Sequence, residues 1–272
     1  MTENNPEDIK RAVLSRYSLH AQRRLAALQE TAASSCCGTP QTEASTCSCC
    51  GETADPLADA NVAEALYSSE ELRDLPEDVL TSLGCGNPTA IAGLHEGESV
   101  LDLGSGGGLD CFLSAQKVGP EGKVVGLDMS ADMIQLARRN ANRVAAENVS
   151  FRLGEMEDMP FADNSFDVII SNCVINLSPD KDAVFREAHR VLKAGGRLRA
   201  SDIVFGREPT EQERADLASW TACVAGALTE TDYAAKLRAA GFEDVRLEAK
   251  EGTAPDSHLF SAYVSATKKV VK

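Results

Sequence analysis

The 272-residue sequence predicts an α/β protein in which a seven-stranded, mostly parallel sheet is covered on both faces by helices and preceded by a helical arm. Three observations carry that expectation. Short apolar runs rich in β-branched residues alternate with turn residues and helical segments through the middle of the chain. The last two such runs are too close for a helical crossover, so they pair as an antiparallel hairpin at one sheet edge. The chain also begins with apolar residues at helical spacing ahead of a loop-like, thiol-rich segment.

In chain order, Val13, Leu14, Tyr17, Leu25 and Leu28 give residues 7–30 the periodicity of one or two amphipathic helices. The segment Thr31–Pro56 is small, polar and rich in Gly, Ser and Thr, as loops are, and it carries Cys36, Cys37, Cys47, Cys49 and Cys50. A second helical stretch is expected from about Pro56 to Leu83. Then "SVLDL", "KVVGLD", "VSFRL" and "FDVIIS" read as strands, each followed by turn residues and a helix, and "RLRASDI" as a fifth. "FEDVRLE" and "LFSAYVSATK" form the terminal hairpin. The expected organisation is an N-terminal helical arm (1–70), a ligand-binding core (71–205) and a C-terminal segment (206–272) whose helices and hairpin complete the sheet.

Composition narrows the function classes. A hydrophobic content of 43% suits a chain with one continuous core. The polar, acidic start and the lack of a run of about 20 apolar residues argue against a signal peptide or membrane span, and place the protein in the cytoplasm. A formal charge of -15 opposes nucleic acid and anionic lipid and favours a small-molecule or protein partner. Nine cysteines in a reducing compartment do not suit a disulfide framework, so the thiols point to metal, metalloid or redox chemistry.

The chemistry begins at "VLDLGSGGGLD", residues 100–110. A strand ends at Asp102, Gly104, Gly106 and Gly108 let the backbone turn tightly beside a ligand, and a helix starting near Leu109 aims its N-terminal amides at it. The next strand ends in Asp128, where a carboxylate can accept both ribose hydroxyls of a nucleoside; alone it would equally read as a helix N-cap. The spacing departs from G-x-G-x-x-G of dinucleotide folds. Instead "D-L-G-S-G-G-G" resembles the loop of class I S-adenosylmethionine-dependent methyltransferases, and "GEMEDMPFADNSFDVIISNCVINL" and "VFREAHRVLKAGGRLRASDI" extend the resemblance over roughly residues 83–205. It implies a Rossmann-like class I methyltransferase fold with S-adenosylmethionine as methyl donor. It further implies that Asp102, Gly104 and Gly106 hold the methionine moiety, Asp128 the ribose, Met129 one adenine face, and Glu155 with Met156 the adenine edge; Asn172 is placed in the same site.

Oxygen, nitrogen and carbon acceptors usually need a base, yet none of His20, His95, His189 and His258 falls at a strand end that opens to the cofactor, and His189 is expected to be structural. A thiol does: Cys173, just beyond the fourth strand. Cys85 lies between glycines before the first strand, Cys223 lies after the fifth, and Cys111 reads as a buried small hydrophobe. "LGCGNP", "SNCVINL" and "WTACVAGAL" together resemble the thiol motifs of arsenite methyltransferases, with Leu83 standing where many members of that family carry an aromatic residue. The resemblance implies that Cys85, Cys173 and Cys223 bind trivalent arsenic as substrate, with Cys85 also in a redox role and thioredoxin or glutathione as reductant. Thiophilic arsenic attacks through its lone pair and has no proton to lose, which removes the need for a base. The arm cysteines are expected to capture arsenite or extend the redox relay; a zinc site or a disordered segment are the alternatives, and "CC", "CSC" and "CC" fit zinc knuckles poorly. Two other functions stay open at this point: a methyltransferase for an organic small molecule, and a non-catalytic metal- or metalloid-binding protein.

Overall fold

The computed structural model describes residues 5–34, 62–76, 79–80, 83–215, 220, 223–252 and 258–270; Cys36, Cys37, Cys47, Cys49 and Cys50 lie outside them. The N-terminal periodicity resolves into one helix, α1 (Pro6–Ser34). The second helical stretch is broken into α2 (Val62–Leu66) and α3 (Ser69–Leu72). Ser68 starts α3 with a capping box: its hydroxyl accepts the Glu71 N–H while the Glu71 carboxylate accepts the Ser68 N–H, which favours a fresh helix start over continuation. Asn87 caps the short α4 (Pro88–Ile91).

The sheet holds β1 (Ser99–Leu103), β2 (Lys123–Asp128), β3 (Val149–Leu153), β4 (Phe166–Asn172), β5 (Leu192–Phe205), β6 (Leu228–Thr229), β7 (Phe242–Ala249) and β8 (Leu259–Lys268). The order is β3-β2-β1-β4-β5-β8-β7; β1 to β5 run parallel, and β8 enters antiparallel between β5 and β7. The two-residue β6 adds a parallel pairing on β5 beyond the seven expected strands. Alternation along the strands divides the core by face. Leu101, Leu103 and Ile169 enter the cluster on one side, Val100, Val168 and Ile170 the cluster on the other, and this double burial accounts for their near-continuous apolar sequences.

Four helices follow strands or turns with side-chain caps or glycine: α5 (Leu109–Val118), α6 (Ala131–Val144) capped by Ser130, α7 (Lys181–Val191) capped by Asp180, and α9 (Glu230–Ala239) capped by Thr229; the short α8 (Glu211–Ala215) lies between β5 and β6. Two expectations are corrected. No helix follows β3; Gly154 and Pro160 bracket a turn closed by an isolated bridge between Glu155 and Asp158. The fifth strand starts at Leu192, directly after α7, and its early residues pair with β4 across a register shift between Phe166 and Val168. The strand order reverses between β1 and its neighbours β2 and β4, so the crevice for a ligand lies at their carboxyl ends.

Candidate active site

The crevice is a cleft with about 1160 Å³ of empty space, part of it open to solvent. Gly104, Ser105, Gly106, Asp110, Asp128, Met129, Glu155, Met156, Asn172 and Cys173 all line it. Gly104 turns after β1 with φ +67°, and a side chain there would run into Val174, so both backbone conformation and space require glycine. The Asp128 carboxylate is pinned at the end of β2 by the N–H groups of Gly106 (2.9 Å) and Ser130 (2.8 Å). Burial pushes its pKa up more than these amides lower it. Asp102 does not line the cleft: it lies under the glycine loop, 2% exposed, accepting the Cys111 thiol at 3.2 Å. Cys111 is therefore a hydrogen-bond donor as well as a buried apolar residue.

Asp110, in the first turn of α5, takes the position facing the cleft. Its oxygens accept the Tyr67 hydroxyl at 2.8 Å and the Asn172 amide at 3.1 Å, and burial raises its pKa to about 6. Asp102 is raised too, by burial first and then by the charge of Asp110. Three acidic side chains around one glycine loop suit a ligand that carries positive charge.

One helix closes the cleft. Lys10, Val13, Leu14, Tyr17 and His20 of α1 line it, Lys10 pairs with Glu155 and Glu157 on the turn after β3, and the Ser18 and Ser130 hydroxyls meet at 2.9 Å. Further along, Ala21 and Leu28 pack on Met133 and Leu136 of α6. His20 thus reaches the cleft from a helix, although no histidine stands at a strand end. His189 packs edge-on against Phe242 and bonds the Gly241 backbone, the structural part expected of it.

The three thiols meet beside the cleft. Cys173 follows β4 with φ 61° and Cys223 has φ 64°, left-handed conformations that cost a residue with a Cβ of order 1–3 kcal/mol and persist where the surroundings enforce them. The Cys223 thiol donates to the Cys173 carbonyl at 2.7 Å, and the Cys85 thiol lies 3.6 Å from the Ser201 hydroxyl. Hydrogen bonding with Cys223 and Cys85, then burial, holds the Cys173 thiol well above its ordinary pKa. Ile9, Val13, Leu177, Tyr17 and Trp220 enclose the group, and burial followed by the nearby Cys223 raises the Tyr17 hydroxyl. Beneath it, buried Lys181 donates to the carbonyls of Ser178 (2.8 Å) and Asn176 (3.3 Å) and sits 5.1 Å from the Trp220 ring centre, tying the turn after Cys173 to that ring. Among the described residues no three His, Cys, Asp or Glu side chains stand ready to hold a metal ion. The thiols are neighbours, and a shared ligand would have to turn them together.

Of the residues expected at the site, Asp128, Gly104, Gly106, Met129, Glu155, Met156, Asn172 and Cys173 line the cleft, Asp102 lies beneath it, and Cys85 and Cys223 are neighbours of Cys173. Asp110, Tyr67, Lys10, Tyr17, His20 and Lys181 join them without having been expected there. The one signal was Asp110, an acid in the same "GGGLD" run as the loop.

Residues 94–241 match the family described as a methyltransferase domain. The crystal structure of an arsenic(III) S-adenosylmethionine methyltransferase from Chlamydomonas reinhardtii is similar with a TM-score of 0.66 at 38% identity, covering 74% of this chain and 73% of that one. The chain belongs to the arsenite methyltransferase family. Within that family, a curated arsenite methyltransferase of Halobacterium salinarum is 42% identical over 253 residues, 92% of this chain and 61% of that protein. One of Aquipseudomonas alcaligenes is 46% identical over 179 residues, 63% of this chain and 51% of that protein. The chain spans about half to three-fifths of the length of these arsenite methyltransferases. Among the described residues no helix is long and apolar enough to cross a membrane.

Proposed function

We propose that this chain transfers methyl groups from S-adenosylmethionine to trivalent arsenic bound by Cys85, Cys173 and Cys223. The observation that carries the reading is the meeting of three thiols from separate loops, with Cys173 lining the cleft that the glycine loop forms.

The cleft fits the cofactor on its own chemistry. Gly106 leaves open the space that a Cβ would fill, the buried Ser105 hydroxyl has no partner, and Asp110 and Asp128 line the same cleft with carboxylates. Asp128 would hold the ribose, Met129 an adenine face, Glu155 and Met156 the adenine edge, and Gly104, Gly106, Asp110 and Asn172 the methionine end, with Asp102 supporting the loop from below. Bound there, S-adenosylmethionine supplies an electrophilic methyl group on a sulfonium sulfur.

The chain's own residues hold the acceptor. Each arsenite hydroxyl leaves as water with the proton of the thiol that replaces it, so the protonated, buried Cys173 needs no base. The apolar wall of Ile9, Val13, Leu177 and Trp220 keeps water from the thiol side and holds arsenic against the cleft, where proximity and orientation lower the barrier. Accepting a methyl cation takes arsenic to the pentavalent state. Two thiolates closing a disulfide return the two electrons, with Cys85 as one of the pair, and thioredoxin or glutathione reopens it. The arm cysteines, which precede Cys85 in the sequence, would pass arsenite or electrons to this group.

The test is to incubate the chain with arsenite, isotopically labelled S-adenosylmethionine and a thiol reductant, and to identify arsenicals by mass spectrometry. Labelled methylarsenicals are expected. Bound cofactor with no label on arsenic would overturn the proposal.

A further inference from the structure

The loop bearing Cys85 and the cofactor cleft are joined through a single amide. Asn172, the last residue of β4, accepts the N–H groups of Cys85 (3.0 Å) and Gly86 (3.3 Å) on Oδ1. Its Nδ2 faces the Gly86 carbonyl (2.8 Å), the Tyr67 hydroxyl (3.0 Å) and Asp110 Oδ2 (3.1 Å). Donors on one side and acceptors on the other leave the amide one orientation. Tyr67, which follows α2 and is 4% exposed, gives its own proton to Asp110 Oδ1 at 2.8 Å. The packing allows no slack, because a side chain at Gly84 would collide with the Asn172 amide. Asp110 lines the cleft and Tyr67 does not.

We propose that Tyr67 and Asn172 are positioning residues that couple the two sites, so that a cation bound in the cleft opposite Asp110 locks the loop presenting the Cys85 thiol. This rests on the functional reading above. A cationic ligand holds Asp110 ionised, and hydrogen bonds to an ionised acceptor are roughly twice as strong as neutral ones. Both donors to Asp110 then tighten, the Asn172 amide is fixed, and with it the two backbone N–H groups that set the Cys85 loop. Coupling of this kind is reciprocal: a substrate that engages Cys85 strengthens cofactor binding by the same factor.

Trp220 is the chain's one tryptophan and packs with Cys173 and Cys223, so its fluorescence reports on the thiol group. Arsenite is titrated into the full chain at a pH of about 5, where Asp110 is mostly protonated until a cation faces it, read by Trp220 fluorescence and by equilibrium dialysis, without and with saturating S-adenosylhomocysteine, which keeps the amino-acid ammonium. The wild type should bind arsenite at least about fivefold more tightly with S-adenosylhomocysteine present. In Tyr67→Phe, which removes one oxygen, that factor should fall below about twofold while arsenite alone binds as before. Asp110→Asn, with folding checked by circular dichroism, should lose the factor too and serves if Tyr67→Phe does not fold. A wild type without coupling, or coupling that survives in both variants, overturns the proposal. A wild type that binds S-adenosylhomocysteine but not arsenite overturns the functional reading, and the coupling with it.

Discussion

At the scale of the residue, two buried carboxylates, Asp128 and Asp110, line the cleft and are held in different ways. Asp128 is anchored by backbone N–H groups, so replacing it removes an aligned acceptor and loosens the loop around Gly106. Asp128→Ala should weaken S-adenosylhomocysteine binding by at least about tenfold, or about 1.4 kcal/mol; unchanged affinity by calorimetry in a folded variant would remove the ribose assignment. Asp110 predicts a pH dependence. Burial raises its pKa from 3.8 to about 6, with Tyr67, Asn172 and Lys117 opposing that rise and Glu71 adding to it. The folded chain therefore holds a proton between these values that the unfolded chain releases. This group's contribution to stability is full below 3.8 and is lost as pH rises through about 6. Ligand binding runs the other way, because the methionine ammonium favours the ionised form: affinity for S-adenosylhomocysteine should fall by up to about tenfold per pH unit below 6. In Asp110→Asn that slope should flatten, and a slope as steep as in the wild type would place the titrating group elsewhere. Asp128 was legible because a carboxylate at a strand end after a glycine loop has a local meaning. Asp110 was not, since its environment depends on Tyr67 and Asn172, far apart in the sequence.

At the scale of the element, α1 shows how a periodicity can be read while its purpose is not. The spacing of Val13, Tyr17, Leu25 and Leu28 marks an amphipathic helix, but nothing local says that its inner face roofs a cleft built by the ends of β2 and β4. Similarly, "VSFRL" has the composition of a strand, and only the turn geometry from Gly154 to Pro160 replaces the expected helix with a segment that brings Glu155 and Met156 to the cleft. The parallel strands were easiest to read, because burial on both faces writes an unbroken apolar run into each. If α1 is the roof, lifting it should open the cleft without dismantling the sheet. Ala21 is fully buried against α6, and Ala21→Asp would place an unpaired carboxylate there, a penalty of several kcal/mol. The expected result is faster hydrogen exchange across residues 6–34 and at least about tenfold weaker S-adenosylhomocysteine binding, with exchange in β1 and β4 unchanged. Undiminished affinity with α1 exchanging freely would show that the roof is dispensable for the cofactor.

At the scale of the whole molecule, the thiol group exists only because the fold gathers it: Cys85 precedes the sheet, Cys173 follows β4, and Cys223 lies between β5 and β6. Counting ligands on successive substrates separates their parts. Inorganic arsenite can take three thiolates, whereas monomethylarsenite can take only two, because carbon now occupies one position. Cys173 and Cys223 are the pair whose left-handed backbones and direct hydrogen bond fix them to each other, while Cys85 sits on a separate loop, partly exposed, held through Asn172. The fixed pair should therefore serve every methylation and Cys85 only the first, together with reduction. Serine keeps the size of cysteine but offers a hard, protonated oxygen that soft trivalent arsenic binds poorly. Cys173→Ser and Cys223→Ser should abolish turnover of both substrates. Cys85→Ser should stop methylation of arsenite yet leave methylation of monomethylarsenite measurable when external thiol is supplied. All three variants are assayed against both substrates by mass spectrometry, with circular dichroism to confirm folding. Equal loss on both substrates for Cys85→Ser would remove the division of labour, and full activity of Cys173→Ser or Cys223→Ser on either would remove the arsenic site itself.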